Sequence, residues 1–268
     1  MKSEELKKIV KEKYGKIAEQ NTEKKTCGCG TSCCGPDVDY TVFSEDYKNK
    51  EGYAPDADMN LGCGIPTDFA GIKKGDHILD LGSGAGNDCF VARAVVGETG
   101  TVTGLDMTEQ MVLKARENCK KLEYKNVVFV LGDIESMPFD DKVFNVVISN
   151  CVLNLVPDKS KAFAEILRVL KPGGHFCVSD VVIKGNLSDK MKKDAEMYAG
   201  CVSGASEMNE YLKIVEDTGF INLKVHKQKE IKLPDSLLAE YNNPAELNSY
   251  HAGETGIFSI TVSAEKKI

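Results

Sequence analysis

A glycine-rich run with acidic neighbours stands in the first half of the chain, in the sequence ILDLGSGAGND. Gly82, Gly84 and Gly86 follow a predicted buried strand and precede a predicted helix. Glycine at such a turn lets a ligand approach the backbone closely, because no β-carbon stands in the way. The next predicted strand ends in Asp106, 20 residues beyond Gly86, where a carboxylate can bind a ribose diol. The pattern predicts a site for an adenosine-containing ligand.

Two residues indicate which kind of adenosine ligand the turn accepts. Asp80 precedes the first glycine, where its carboxylate would repel a pyrophosphate. Asn87 stands where the dinucleotide-binding pattern has glycine or alanine. A cofactor that lacks phosphate and carries positive sulfonium and ammonium groups suits this acidic turn better. The sequence therefore favours S-adenosylmethionine over a dinucleotide.

The segment LGDIESMPF follows the third predicted strand and supplies candidate contacts to the adenine ring. Asp133 and the backbone of Ile134 are placed to bind the adenine edge, and Met107 to pack on its face. The alternatives are that Asp133 caps a helix and that Met107 belongs to the core. Glu135 in the same segment and Asn150 at the end of the fourth predicted strand complete the predicted cofactor site.

The segments DLGSGAG, GLDM, GDIESMPF and LKPGG together resemble those of the seven-stranded class I methyltransferases, over residues 72–179. This resemblance implies an α/β, Rossmann-like fold with a mostly parallel seven-stranded sheet and helices on both faces. The residue pattern agrees, because the apolar runs HILDL, TVTGLD, VVFVL, FNVVISN and HFCVSDVV alternate with helical stretches. The clearest helices are predicted at 108–122 and 159–170, and KPGG is predicted to turn the chain between a helix and a strand.

The two ends of the chain are predicted to add to this fold. Residues 3–20 have the apolar spacing of an amphipathic helix capped by Ser3, followed by the loop CGCGTSCCGP. Tyr14 is predicted either to help this helix cover the methionine end of the cofactor or to belong to the core.

Near the other end, residues 206–218 form a predicted helix capped by Ser206, and residues 222–230 and 257–265 two strands that close the sheet. The stretch 233–256 between these strands is predicted to be a polar excursion. The expected division is an N-terminal helix and cysteine-rich segment at 1–48, a cofactor-binding domain at 49–185, and a substrate-binding and sheet-closing region at 186–268.

Three cysteines are predicted to meet at one rim of the sheet. Cys63 precedes the first strand, Cys151 follows the fourth, and Cys201 lies beyond the fifth. Ligands of open parallel sheets bind outside the carboxyl ends of the strands, and a sulfur-only site there selects thiophilic metals and metalloids. Zinc can also bind three thiolates. Zinc, however, has no lone pair with which to attack a methyl group, whereas pyramidal arsenic(III) bound to three sulfurs keeps one.

At these residues the chain resembles the arsenite S-adenosylmethionine methyltransferases, in LGCGIP, SNCVLNL and CVSGA. The resemblance implies that Cys151 and Cys201 bind arsenite or its thiol conjugates and that Cys63 has a third, partly redox role. It also implies that protein thiols reduce the oxidised arsenic product and are regenerated by thioredoxin or glutathione. The family's additional N-terminal thiol corresponds to Cys33 or Cys34, in a cluster that also offers Cys27 and Cys29.

The composition excludes several classes of protein. The chain has 268 residues, a formal net charge of −7 and 42% hydrophobic residues, which allows a sizeable core and is unlike a general nucleic-acid binder. No apolar run approaches the length of a membrane span, and the N-terminus has no apolar secretory core, so a cytoplasmic protein without membrane partners is expected. Ten cysteines then point to thiol chemistry, although Cys89, Cys119 and Cys177 are expected to pack as small apolar residues.

Two other functions remain open from the residues alone. The same fold could methylate a carbon or oxygen atom of an apolar metabolite such as a quinone or sterol, which requires a general base and an apolar cavity near Asn150. A metal-sequestering module is the alternative without catalysis, with CGCGTSCC binding zinc or copper. The intact DLGSGAG and GLDM segments favour an enzyme.

Overall fold

The computed structural model describes residues 3–23, 45–185, 205–232, 238–239 and 242–268. Within these residues the chain forms six α-helices and seven strands. The helices are α1 (Ser3–Glu23), α2 (Asn87–Val96), α3 (Glu109–Lys121), α4 (Lys159–Val169), α5 (Met208–Asp217) and α6 (Pro244–His251). The strands are β1 (His77–Leu81), β2 (Thr101–Asp106), β3 (Val127–Leu131), β4 (Phe144–Asn150), β5 (Leu170–Lys184), β6 (Ile221–Ile231) and β7 (Gly256–Glu265).

All seven strands lie in one sheet with the order β3-β2-β1-β4-β5-β7-β6. Strands β1 to β5 are parallel, whereas β7 is antiparallel to both of its neighbours, β5 and β6. This confirms the predicted mostly parallel, seven-stranded sheet. Because β1, β2 and β4 run in one direction, their last residues lie at the same edge of the sheet. These residues are Leu81, Asp106 and Asn150.

Helices cover both faces of the sheet because successive strand residues point to opposite sides. Ile78 and Val146 belong to an apolar cluster with α2 and α3, whereas Leu79 and Val147 belong to a cluster with α4 and α5. Burial on both faces explains why these strands read as nearly continuous apolar runs.

Aromatic rings hold the second of these faces together. The ring of Phe163 on α4 has its centroid 5.5 Å from that of Phe176 on β5 and 5.7 Å from that of Tyr211 on α5. Such aromatic pairs contribute about 0.5–1.5 kcal/mol each beyond the area that they bury. These contacts hold α4 against β5 and α5 against α4.

Helix α1 confirms the predicted N-terminal helix and packs on α3. The Lys114 side chain donates a hydrogen bond to the Ala18 carbonyl at 3.2 Å. The segment CGCGTSCCGP that follows lies outside the described residues, and none of the described helices is both long enough and apolar enough to cross a membrane. The domain boundaries drawn from the sequence remain predictions.

Two local predictions are wrong. The KPGG segment is part of β5 rather than a turn before it. The register between β4 and β5 shifts at this segment, where Gly173 has a φ of 73°. The Gly173 N–H donates to the Lys266 carbonyl at 3.0 Å. Ser206 does not cap α5, because its carbonyl accepts a hydrogen bond from Ile183. The cap is Glu207, whose carboxylate accepts from two backbone N–H groups of the first turn.

The polar stretch between β6 and β7 contains a helix that the sequence pattern did not predict. Helix α6 begins at a capping box, in which Asn243 and Glu246 bind each other's backbone N–H groups. Its Tyr250 hydroxyl donates to the Ile231 carbonyl of β6 at 3.2 Å. This hydrogen bond holds α6 beside the apolar cluster that contains Val181 and Ile183 at the end of β5.

Candidate functional site

A cavity opens at the carboxyl ends of β1, β2 and β4, and the cavity and the open space at its mouth together amount to about 1070 Å³. Helix α1 contributes Lys7, Val10 and Tyr14 to its wall. The sequence-predicted residues that line it are Gly82, Gly84, Asp106, Met107, Asp133, Ile134, Asn150 and Cys151. The cavity thus brings together most of the predicted cofactor residues and one of the predicted thiols.

The glycine turn is held close to the end of β2. The Gly82 N–H donates to the Leu105 carbonyl at 2.7 Å, and the Gly84 N–H donates to Asp106 Oδ2 at 2.9 Å. A β-carbon at Gly82 would lie 2.4 Å from the side chain of Val152, and Gly84 has a φ of 51° that favours glycine. Gly82 thus makes room for Val152, whereas a β-carbon at Gly84 would meet nothing within 4 Å, so the turn backbone is open to the cavity at Gly84.

Asp106 organises this turn with both carboxylate oxygens. Oδ1 accepts from the Thr108 N–H at 2.8 Å, while Oδ2 accepts from Gly84. Burial raises the pKa of Asp106, and the N–H groups of Thr108 and Gly84 act against that rise. Each oxygen has a second lone pair, so the carboxylate can still accept from a ribose diol.

Two further carboxyl groups lie beneath the turn. Asp80 is buried and accepts a hydrogen bond from the Cys89 thiol at 3.2 Å, and burial followed by the charge of Asp88 holds its pKa well above the usual value. Burial also raises the pKa of Asp88 to about 6, although Tyr47 and Asn150 donate to it. At neutral pH Asp88 is the ionised member of this pair, and its charge favours a cationic ligand and opposes a pyrophosphate. The cavity thus fits S-adenosylmethionine, which carries a sulfonium and an ammonium group.

The segment after β3 is bound by α1. The Lys7 ammonium forms an ion pair with Asp133 Oδ2 at 2.6 Å and a second with Glu135. Burial alone would raise the pKa of Asp133, but the hydrogen bond from Lys7 brings it below its usual value. The other Glu135 oxygen accepts from the Asp158 N–H at 2.8 Å. Lys7 therefore ties the first helix to the predicted adenine-binding segment.

Two of the predicted thiols share one apolar cluster. Cys63 and Cys151 are buried there with Val181, Ile183 and Tyr250. Cys151 directly follows β4 with a φ of 61°, and its N–H donates to the Ser179 carbonyl at 2.8 Å. Cys201, Cys27, Cys29, Cys33 and Cys34 lie outside the described residues.

A buried polar network borders these thiols. Asp180 accepts hydrogen bonds from Asn154 Nδ2 at 2.8 Å, from the Val181 N–H at 3.0 Å and from the Tyr211 hydroxyl at 3.2 Å. Burial raises the pKa of Asp180 to about 7. Burial and Asp180, and more weakly the two cluster thiols, also raise the pKa of Tyr211 well above its usual value.

Not all predicted site residues line the cavity. Asp80 is buried behind the turn, Gly86 begins α2, and Glu135 is engaged with Lys7 and Asp158. Cys89, Cys119 and Cys177 pack in the apolar cluster of the opposite sheet face, as expected. In the described part of the chain, no group of three or more histidine, cysteine, aspartate or glutamate side chains is placed to hold a metal ion.

Sequence reasoning missed three residues of the site: Lys7, Tyr47 and Asp88. Asp88 stands two residues after the last glycine of the turn, and its charge was an available signal. Lys7 and Tyr47 had no local signal, because each acts through a partner far away in the chain.

Comparisons with known proteins agree with this geometry. The methyltransferase domain family matches residues 72–219. The arsenite methyltransferase of Halobacterium salinarum is 36% identical over 98% of this chain, and that of Aquipseudomonas alcaligenes is 32% identical over 86%. The chain spans about two thirds of the length of these relatives, 67% and 66% respectively. The crystal structure of an arsenic(III) S-adenosylmethionine methyltransferase from Chlamydomonas reinhardtii is similar at a TM-score of 0.66 and 33% identity, over 88% of this chain and 75% of that chain.

Proposed function

Because the chain belongs to the methyltransferase domain family and, within it, to the arsenite methyltransferases, we propose that it transfers methyl groups from S-adenosylmethionine to thiol-bound As(III). The observation that carries this proposal is the position of Cys151. This residue lines the cofactor cavity and also lies in the apolar cluster that contains Cys63. A substrate bound to these thiols would stand beside the cofactor.

Different residues of the cavity would bind different parts of the cofactor. Gly82 and Gly84 would leave room along the turn, Asp106 would bind the ribose, and Asp133 and Ile134 would bind the adenine edge. Met107 would pack on the adenine face. When bound, S-adenosylmethionine supplies an electrophilic methyl group, which the lone pair of the arsenic attacks.

The thiols would bind and orient the substrate. As(III) would exchange its oxygen or small-thiol ligands for Cys63, Cys151 and Cys201, and each cysteine proton would leave with the displaced ligand, as water from a hydroxide or as a free thiol from a thiolate. Three sulfur ligands leave the arsenic lone pair pointing away from them. Orienting two bound reactants in this way can supply roughly 7–11 kcal/mol. A general base is unnecessary, because the arsenic atom carries no proton.

The oxidation state of arsenic adds a requirement for thiols. Each transfer converts As(III) to As(V), so another round needs two electrons, which two protein thiols can supply by forming a disulfide. We propose that Cys63 takes part in this reduction, with Cys33 or Cys34 as a further thiol, and that thioredoxin or glutathione restores the thiols. A cytoplasmic location belongs to the same proposal, since thiols stay reduced there.

Methylation of an organic acceptor is the competing function, and it needs a base near Asn150. The Asp88 carboxylate lies 3.2 Å from Asn150 Nδ2, but its other oxygen accepts from the Tyr47 hydroxyl at 2.7 Å. Asp88 is the candidate base of this competing function, but an organic acceptor would give the buried thiols Cys63 and Cys151 no role. These thiols therefore favour the arsenic acceptor.

The decisive experiment supplies the reduced protein with arsenite, labelled S-adenosylmethionine and a thiol reductant, and separates the arsenic species by chromatography with elemental detection. Methylated arsenic is expected. Cys151→Ser should abolish this product and leave cofactor binding largely intact. The matched control is Cys119→Ser, at a buried thiol on α3 whose hydrogen-bond acceptors also suit a hydroxyl. Cofactor binding without methylated arsenic in the wild type, or full turnover in Cys151→Ser, would refute the proposal.

A further inference from the structure

The side-chain amide of Asn150 connects the end of β4 to the segment that carries Cys63. Its Oδ1 accepts from the N–H groups of Cys63 at 3.0 Å and Gly64 at 3.3 Å. Its Nδ2 donates to the Gly64 carbonyl at 2.8 Å. A single side chain thus satisfies three backbone groups on either side of the Cys63 side chain, which fixes the orientation of that segment.

The same amide meets Tyr47 and Asp88 on its other side. Asn150 Nδ2 lies 2.9 Å from the Tyr47 hydroxyl oxygen and 3.2 Å from Asp88 Oδ2. The Tyr47 hydroxyl lies 2.7 Å from Asp88 Oδ1 and 3.0 Å from the Gly64 carbonyl. The nearer, charged acceptor takes its single proton. We call Tyr47, Asp88 and Asn150 the Asn150 clamp.

The clamp is tightly packed against the cysteine segment. A β-carbon at Gly62 would lie 2.5 Å from Asn150 Nδ2, and one at Gly64 would lie 2.4 Å from the Ser179 hydroxyl. Glycine on both sides of Cys63 allows this approach, because any larger residue would push the segment away. The placement of Cys63 therefore depends on contact with the clamp at Gly62 and with Ser179 of β5 at Gly64.

All three clamp residues also line the cofactor cavity, and Asp88 lies in the first turn of α2, directly after the glycine turn. Cys63 itself does not line the cavity. A ligand in the cavity can therefore act on Cys63 through the clamp.

We propose that Tyr47 is a positioning residue that, with Asp88 and Asn150, fixes the Cys63 segment and couples occupancy of the cofactor cavity to the placement of the Cys63 thiol. The importance of this thiol for arsenic rests on the proposed function. The coupling itself concerns only the cavity and the thiol, so it can be tested without arsenic.

The test measures the rate at which each cysteine of the full chain reacts with iodoacetamide, by peptide mass spectrometry, with and without saturating S-adenosylhomocysteine. In Tyr47→Phe, Cys63 should react at least about tenfold faster than in the wild type, since hydrogen bonds to charged groups stabilise by about 1.5–3 kcal/mol. S-adenosylhomocysteine should slow the reaction of Cys63 at least about fivefold in the wild type, the lower end of typical coupling between sites. This protection should largely disappear in Tyr47→Phe.

The core thiols provide the internal control. Cys119 and Cys177 report general loosening of the fold, because they are buried in another cluster. Cys89 is not used, because it follows Asp88 and its thiol donates to Asp80. The matched variant is Tyr124→Phe, whose ring packs against Arg93 in the last turn of α2 and whose substitution should leave the Cys63 rate unchanged. An unchanged Cys63 rate in Tyr47→Phe, or an equal acceleration of Cys63, Cys119 and Cys177, would overturn the proposal.

The wild-type protein decides the matter if Tyr47→Phe does not fold. Protection of Cys63 by S-adenosylhomocysteine, relative to Cys119 and Cys177, is then expected, and equal Cys63 rates with and without this ligand would overturn the coupling. Failure of the wild type to methylate arsenite would refute the proposed function and leave this result standing.

Discussion

Replacing Asp180 by asparagine should change how the stability of the protein depends on pH. Asp180 is buried at the end of β5 and accepts from Asn154, Val181 and Tyr211. Asparagine has the same size, and its oxygen can accept from Asn154 and Val181 while its amide group donates to the Tyr211 oxygen. The substitution thus removes an ionisable group and keeps most of the packing.

The magnitude follows from the pKa. Burial raises the pKa of Asp180 from 3.8 to about 7, so the folded state holds a proton that the unfolded state releases. A tenfold change in proton affinity corresponds to about 1.4 kcal/mol, so the whole rise corresponds to about 4 kcal/mol. The stabilisation by this proton is fully present below pH 3.8 and is lost as the pH rises through 7. Between pH 5 and pH 8.5 the wild type should lose about 3 kcal/mol through this group.

Urea denaturation at several pH values tests this reasoning. The free energy of unfolding of Asp180→Asn, relative to the wild type, should rise by about 3 kcal/mol from pH 5 to pH 8.5, a shift in midpoint of about 1 M. Asp140→Asn provides the comparison at an exposed carboxyl group. A difference between wild type and Asp180→Asn that stays constant across this range would show that the three donors offset the cost of burying the charge, and the reasoning would be refuted.

Three further substitutions test the site. Lys7→Met should raise the KM for S-adenosylmethionine about tenfold, because Asp133 and the buried Glu135 lose their shared cation. An unchanged KM in a methylation assay would contradict this role of α1. Gly64→Ala should lower the free energy of unfolding by about 1–3 kcal/mol in urea, because its β-carbon would collide with the Ser179 hydroxyl, and wild-type stability would disprove that close approach. Asp106→Ala should weaken binding of S-adenosylhomocysteine about 10- to 100-fold in calorimetry, since a charged acceptor is lost; affinity within twofold of the wild type would remove Asp106 from the ribose site.

The sheet could be predicted from the sequence to within a few residues. Strands β1, β2, β4 and β5 are largely buried on both faces and therefore read as apolar runs, and the helices between the strands have clear periodicity. The prediction of a turn at KPGG is wrong because proline and glycine indicate a turn locally, whereas in the fold this segment pairs with the backbone of Lys266, 93 residues beyond Gly173. The position of β7 between β5 and β6 likewise depends on pairing that no local pattern encodes.

The site divides in the same way. The glycine turn and Asp106 could be predicted from local sequence. The turn follows β1, and its hydrogen bonds go to the end of β2, which is the neighbouring strand of a predictable sheet. Local sequence also placed Cys151 at the rim, because a residue after a parallel strand must lie there. The role of Cys201 and of the N-terminal cysteines stays a prediction.

Only the tertiary structure decided which side chains meet Cys63 and the adenine segment. Asn150 reaches Tyr47 across 103 residues of chain, and Lys7 reaches Asp133 across 126. These contacts depend on the path of α1 and of the segment before β1 over the finished sheet. A residue's type shows which hydrogen bonds or ion pairs it can form, but its partner is chosen by distance and burial after the chain has folded.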